Sequence, residues 1–142
     1  MLHLEFNSES ENEGIARIVT SAYIMRFDPD MEEMEDVKTA VSEAVTNCIV
    51  HAYFDENGKI EMDISDKEQM VKIEITDHGI GIPDVKKAME PMYTTKPEEE
   101  RTGMGFSFME AFMDEVYVYS KEGEGTKVIM TKKMGEKNHL NG

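Results

Sequence analysis

Two short runs in the middle of the chain, KIEMDIS at 59–65 and MVKIEITD at 70–77, alternate apolar and polar residues. Successive side chains of a β-strand point to opposite faces of a sheet, so this alternation predicts two strands with one buried face each. The polar stretch SDKEQ joins them. The chain therefore needs a second layer that covers the apolar face of a sheet.

Two segments with helical spacing of apolar residues are candidates for that layer. The first is SENEGIARIVTSAYIMRF at 10–27, with Ser8 or Ser10 as the expected N-cap. The second runs from about 31 to 54, and Asp28 followed by Pro29 resembles an N-cap and a first helical residue.

The remaining segments complete a single domain. A short strand is expected at 2–6, a short helix at 84–90, a loop at 91–102 and a helix over 103–115. Strands at 116–120 and 126–132 form a hairpin, and about 135–142 is a frayed tail. This order predicts an α+β fold spanning 1–142, a two-layer sandwich whose mixed, mostly antiparallel sheet carries helices on one face.

Thirty acidic residues against fifteen basic ones give a net charge of −15. So acidic a chain repels phosphate backbones and anionic lipid, and we expect no direct binding to nucleic acid or membrane. Cys48 is the single cysteine, so it cannot form an internal disulfide. With no signal-like N-terminus and no apolar run of roughly 18 residues, a cytoplasmic protein is expected.

Glu43, Asn47 and His51 lie four residues apart in the second predicted helix. Each four-residue step turns an α-helix by about 40°, so the three side chains form a row that borders the apolar stripe. A solvated helix flank explains such a row. A nucleotide site explains it too, with a carboxylate that accepts a proton and a carboxamide oxygen that ligates Mg²⁺.

Two glycine motifs follow in the chain. Asp77, Gly79 and Gly81 come directly after a predicted strand, where the glycines allow a tight turn beside a flat ligand and the carboxylate accepts from an exocyclic amine. Gly103-Met104-Gly105 opens a predicted helix, whose N-terminus suits phosphate oxygens. Ordinary turns and caps are the alternative. Neither motif is a P-loop or a dinucleotide-binding loop.

The polar segment PMYTTKPEEER lies between the two glycine motifs. It is either a solvated acidic loop or a lid whose Thr95 and Lys96 contact phosphates after closure. Gly125-Thr126 begins the last predicted strand. The Thr126 hydroxyl either reaches an adenine site or has a role only in the hairpin.

The order ExxxNxxxH, DxGxG, TTK, GxG, GT resembles the Bergerat-type ATP-binding fold of gyrase and the histidine kinases. More narrowly, SENEGIAR, VSEAVTNCIVHAY, PMYTTKPEEERTGMGF and FMDEVYV are similar to the sporulation anti-sigma factors that hold sigma F. Members of that family are serine kinases that act on an anti-anti-sigma partner.

The resemblance implies ATP and Mg²⁺ as cofactors and a homodimer. It makes Glu43 the general base and Asn47 the Mg²⁺ ligand, and it assigns partner contacts to Arg17 and Arg101. The nucleotide-binding residues that it implies are Asn47, His51, Asp77, Gly79, Gly81, Thr95, Lys96, Gly103, Met104, Gly105 and Thr126. Two positions depart from the family pattern, because Ala52 stands where glycine is common and His78 where an acidic residue is common.

Other functions stay open from the sequence. A histidine kinase also carries this ATP-binding pattern, although neither His3 nor His139 lies in a long helical hairpin. An ATP-driven clamp, a general-stress anti-sigma kinase and a non-catalytic nucleotide-dependent binding module are further alternatives.

Overall fold

The computed structural model describes residues 1–53, 57–82, 85, 89 and 105–135. A five-stranded sheet with the order β1-β2-β3-β5-β4 forms one layer. All four strand pairings are antiparallel, so the sheet has no parallel pair among the described residues. The strands are β1 (Leu2–Asn7), β2 (Lys59–Lys67), β3 (Met70–Asp77), β4 (Glu115–Lys121) and β5 (Gly125–Lys133).

The alternation of apolar and polar residues places one face of the sheet in the core. Strands β2, β3 and β5 point a fully or almost fully buried set inward, namely Ile60, Met62, Ile64, Val71, Ile73, Ile75, Val128 and Met130. Charged and polar residues alternate with them on the opposite face. The prediction of both central strands is confirmed, and β3 has the predicted bounds.

Helices form the second layer and pack on that inward face. They are α1 (Glu11–Ile24), α2 (Met31–Asn47) and α3 (Gly105–Phe112), and one turn of 3₁₀-helix (Met25–Phe27) extends α1. The apolar sides of all three helices join the strand residues in one core cluster. The predicted α+β sandwich is confirmed.

The predicted N-cap of α2 is wrong, whereas Ser10 occupies the N-cap position predicted for α1. Asp30, not Asp28, caps α2, and its side chain and that of Glu33 form a reciprocal capping box. Asp28 instead takes a left-handed conformation with φ 48° and ends the 3₁₀ turn. At α1, Ser10 occupies the N-cap position without a side-chain capping bond, and the Ser8 hydroxyl accepts from Gly58 N–H at 2.9 Å.

The predicted C-terminal ends of two helices are also wrong. Helix α2 changes into a wider π-helical turn (Cys48–Ala52) instead of continuing to 54. Helix α3 ends at Phe112, because Asp114 joins β5: its N–H donates to Thr131 O at 2.9 Å and its carboxylate accepts from Lys133 N–H at 2.7 Å. Long-range strand pairing thus outweighs the helical pattern there.

Other predictions fall mainly outside the described residues. Within the helix predicted at 84–90, the Met89 N–H donates to Val85 O at 3.1 Å, which is a helical hydrogen bond. The predicted loop at 91–102 and the tail beyond 135 lie outside the description. Among the described residues, no helix combines the length and the apolar character needed to cross a membrane.

Candidate nucleotide-binding site

The C-terminal half of α2 carries the first two residues of the predicted row. Glu43 lines a cleft of about 340 Å³ between α1 and α2, together with Ser10 and Glu13. Ser42 donates to the Glu13 carboxylate and so ties the two helices together at this cleft. The row therefore borders the core, as predicted, and Glu43 faces a space that admits a small group.

Asn47 is the last residue of α2, and its carboxamide is buried. Neither its oxygen Oδ1 nor its nitrogen Nδ2 has a hydrogen-bond partner among the described residues. A buried amide that lacks partners costs about 1–3 kcal/mol. Such a group is therefore suited to a ligand, and its oxygen is of the kind that Mg²⁺ prefers. The donor chemistry fits the implied metal.

The backbone widens directly after Asn47, so His51 lies in a π-helical turn and not in the α-helix that the predicted row assumed. The Tyr53 N–H donates to Cys48 O at 3.3 Å, five residues back, where an α-helix would bond four back. The α-helical step of about 40° thus fails between Asn47 and His51. His51 lies half-buried in the π-helical turn. The place of His51 in the row stays a prediction.

Asp77 ends β3 beneath this turn and is only 4% exposed. Its carboxylate accepts from Gly79 N–H at 3.0 Å, and further bonds come from the Cys48 thiol and the Thr126 N–H. Burial raises the pKa of Asp77 above its ordinary value, and these hydrogen bonds offset only part of that shift. Burial, together with the nearby Asp77, also raises the pKa of the Cys48 thiol.

The glycine loop packs against the π-helical turn. A Cβ on Gly79 would lie 2.3 Å from Ala52 O, and the Ile80 N–H donates to the same carbonyl at 3.2 Å. Gly81 has φ +78°, and a Cβ there would lie 2.4 Å from Lys121 O. Only glycine permits both approaches. Alanine at position 52, the first departure from the family pattern, is accommodated because Gly79 has no side chain.

Thr126 lies opposite Asp77 in the β3–β5 register, so the two predicted residues meet on the inner face. Both line a cleft of about 350 Å³ at this end of the sheet. The structure thus brings together Asp77, Gly79, Thr126 and the end of α2.

Two positioning residues carried no recognised sequence signal. The Tyr53 hydroxyl donates to Lys59 O and accepts from His78 N–H, both at 2.6 Å. Ser120 Oγ accepts from Ile82 N–H at 2.7 Å and lies 2.8 Å from Thr126 Oγ1. Each hydroxyl connects the glycine loop to a neighbouring strand. Ser120 continues the inward alternation of Val116 and Val118, which is the one pattern that distinguishes it.

The second departure, His78, lines the same cleft as Asp77 and Thr126. Its ring nitrogen Nε2 lies 2.8 Å from Glu61 Oε2 on the outer face of the sheet. His78 also lowers the pKa of Asp77, against the larger effect of burial.

Several predicted residues stay untested by this geometry. Thr95, Lys96, Arg101, Gly103 and Met104 lie outside the described residues. Gly105 is the first residue of α3, and this helix packs on α2. Arg17 is half-buried on α1, next to Ile18, which is 65% exposed.

The family model for the histidine kinase-like ATPase domain matches residues 6–132. The chain belongs to this family of ATP-binding domains. The catalytic domain of histidine kinase ThkA superposes with a TM-score of 0.60 and 23% identity over 96% of this chain and 99% of that one. The RsbU and RsbW domains of a Mycobacterium tuberculosis protein give a TM-score of 0.61 at 14% identity, covering 94% of this chain and 33% of that one.

Curated relatives narrow the assignment within that class. The anti-sigma F factor of Clostridium perfringens (strain 13) is 53% identical over 94% of this chain and 96% of its own length. That of Geobacillus kaustophilus is 45% identical over 98% of this chain and 96% of its own length. The chain is a member of the anti-sigma F factor family.

Proposed function

We propose that the protein binds and inhibits a sporulation sigma factor of the sigma F type and uses Mg-ATP to phosphorylate a serine of an anti-anti-sigma partner. The observation that carries this proposal is the 53% identity to an anti-sigma F factor over 94% of the chain. The likeness to the solved structures supports the fold alone, because they share only 14% and 23% identity with the chain.

The buried pocket supports the kinase chemistry. Asp77 offers a fixed carboxylate acceptor at the base of the pocket, which suits the exocyclic amine of adenine. Asn47 offers an unpartnered carboxamide oxygen to Mg²⁺. When bound, Mg²⁺ would neutralise charge on the phosphates, which matters in a chain of net charge −15.

Glu43 is proposed as the general base. It lies one helical turn before Asn47 and faces the cleft between α1 and α2. There its carboxylate would accept the proton of the partner's serine hydroxyl as the oxygen attacks the terminal phosphate. A positioned base accelerates such a transfer by about 10²–10⁴-fold.

Partner binding and dimerisation are also part of the proposal. Arg17 and Arg101 would contact the protein partners, and the working unit would be a homodimer in the cytoplasm. A phosphoserine adds about −1.5 to −2 charge. On so acidic a surface this charge would favour release of the phosphorylated partner.

Incubation of the purified protein with Mg-ATP and candidate anti-anti-sigma proteins tests the kinase function. Mass spectrometry should locate one phosphate on a serine of the partner. Glu43→Gln should lower the transfer rate about 10²–10⁴-fold and keep nucleotide binding. Glu35→Gln is the matched control, because Glu35 is an exposed carboxylate of the same helix, paired with Lys38 at 3.3 Å. Unchanged transfer by Glu43→Gln would disprove the role of Glu43.

A sigma-binding competition separates the sporulation branch from the general-stress alternative. The protein should retain a sigma factor of the sigma F type in preference to a general-stress sigma factor. Binding of sigma without any transfer to a partner would instead favour the non-catalytic module.

A further inference from the structure

A cluster of histidine and carboxylate side chains lies on the outer face of the sheet, across β1 and β2. This face is opposite the helices, and His78, which lines the cleft at Asp77, borders the cluster. One nitrogen of His3 and one carboxylate oxygen each from Glu5 and Glu61 lie within 4.8 Å of one another. His3 Nε2 is 3.2 Å from Glu5 Oε1 and 3.9 Å from Glu61 Oε1.

The strand register gathers like charges in this cluster, which His3, Lys59 and His78 already contact. Glu5 and Glu61 are direct cross-strand partners, and His3 and Asp63 are the next pair on the same face. Like charges directly opposite each other destabilise a sheet. A divalent ion between the two carboxylates would turn that repulsion into attraction, and the net charge of −15 makes the gain larger.

The orientation of His3 adds an independent argument. Its Nδ1 lies 2.6 Å from Asp63 Oδ1, so the ring donates its Nδ1–H to that carboxylate. In the neutral imidazole the lone pair of Nε2 then points toward Glu5 and Glu61. Histidines that bind metals are held in this way, because a carboxylate on the other ring nitrogen sets the tautomer and raises the basicity of the ligand.

The other two ligands have outer partners as well. Glu61 places its second oxygen, Oε2, 2.8 Å from His78 Nε2, and Glu5 places Oε2 3.5 Å from Lys59 Nζ. Each carboxylate therefore keeps one oxygen on the inner side of the cluster. Outer contacts to ligating carboxylates are typical of built metal sites.

We propose that His3, Glu5 and Glu61 form a site for a divalent transition-metal ion of the zinc type, with Asp63 and His78 as its outer supports. One imidazole nitrogen and two carboxylate oxygens suit Zn²⁺, which completes four-coordination with water, whereas Mg²⁺ and Ca²⁺ prefer oxygen ligands alone. The ion would connect β1 to β2, and the two ligand carboxylates balance its charge.

Titration of the untagged full-length protein with Zn²⁺, followed by calorimetry in excess Mg²⁺, tests the proposal. The excess Mg²⁺ occupies oxygen-only sites, including the one proposed at Asn47. We expect one tightly bound Zn²⁺ per chain and a rise in the melting temperature on binding. With Co²⁺ as the probe, the visible absorption should show nitrogen and oxygen ligands at low coordination number.

Substitutions locate the ion. His3→Gln and Glu61→Gln should abolish tight binding, and Asp63→Asn should weaken it about 10–100-fold through His3. Glu115→Gln is the control, because Glu115 is an exposed carboxylate of β4 at the opposite edge of the sheet. Circular dichroism checks that each variant is folded. Absence of tight Zn²⁺ binding by the wild type, or equal binding by wild type and His3→Gln, would overturn the proposal.

Discussion

At the scale of single residues, buried polar groups define the pocket more sharply than charge does. Asn47 keeps a buried amide that has no partner within the part of the chain that the structure describes, and Asp77 keeps a buried carboxylate with a raised pKa. Both arrangements cost folding free energy. Both are expected where a ligand completes the missing interactions, so they point to the same corner of the molecule.

The orphaned amide of Asn47 leads to a prediction about stability. Asn47→Ala removes two buried groups that lack partners, so the free energy of unfolding without nucleotide should rise by about 1 kcal/mol. The same variant should lose Mg²⁺-dependent transfer. Urea denaturation measures the first effect, with the neighbouring Thr46→Ala as control. A loss of stability larger than that of the control would show that the amide has partners in the free protein.

The raised pKa of Asp77 predicts how nucleotide affinity depends on pH. In the proposed role, the ionised carboxylate would accept from adenine, and the protonated form would not. Because the pKa lies above the ordinary value, affinity should fall at a higher pH than for an exposed aspartate as the pH is lowered. Nucleotide titrations of wild type and Asp77→Asn measure this, since their difference removes the titration of the phosphates. Parallel pH profiles for the two proteins would contradict the assignment.

At the scale of the elements, the contacts that arrange the candidate site lie where one element ends and the next segment begins. In the π-helical turn after α2, the Cys48 thiol donates to Asp77 and Ala52 O accepts from the Ile80 N–H of the glycine loop. The Tyr53 N–H donates to Cys48 O and closes the turn. A regular α-helix would rotate these groups to other directions. The widened turn therefore couples α2 to the glycine loop, and such turns often occur at functional sites.

The turn of the β2–β3 hairpin holds two residues in a strained backbone conformation that substitution should relieve. Its two turn residues, Glu68 and Gln69, have φ values of 51° and 67°, where asparagine and glycine are favoured. Replacing them with Glu68→Asn and Gln69→Gly together should raise the free energy of unfolding by about 1 kcal/mol. Thermal or urea unfolding measures the gain. Gln69→Ala keeps the penalty, so an equal gain from that variant would refute the explanation.

At the scale of the whole molecule, one buried carboxylate connects the helical layer to the far end of the sheet. Glu33 Oε1 accepts from Asp30 N–H at 3.2 Å within the capping box. Its Oε2 accepts from Gly135 N–H at 3.0 Å, just beyond the end of β5. Glu33 thereby fixes the start of α2 against the last strand.

Glu33→Ala should therefore be strongly destabilising. It removes the Glu33 half of the capping box and leaves the buried Gly135 N–H without its acceptor, so the loss should be about 2–3 kcal/mol. Equilibrium unfolding measures this loss. Glu35→Ala, which breaks only an exposed pair with Lys38, should cost less than about 0.5 kcal/mol. Comparable losses in the two variants would mean that the long-range bond has little weight.

Local sequence patterns were sufficient to predict which helices and strands form, and the motifs could be read in order along the chain. Alternation predicted β3 to the residue, and helical spacing predicted α1 and the start of α2, because both periods are set by the backbone of a few neighbouring residues. The ordered motifs predicted the family that the comparisons show. The predicted cap of α2 failed because Asp28 and Asp30 are equally suitable by type, and only packing selects between them.

The sequence by itself thus determined the α+β sandwich and the family, and it predicted residue types for the nucleotide site. The tertiary structure decided how these residues meet: the π-helical turn that follows Asn47, the thiol of Cys48 on Asp77, and the hydroxyl of Tyr53 on His78. It also decided the histidine–carboxylate cluster on the outer face, where β1 meets β2. These contacts join residues distant in the chain, and their geometry depends on packing, which leaves no periodic trace in the sequence.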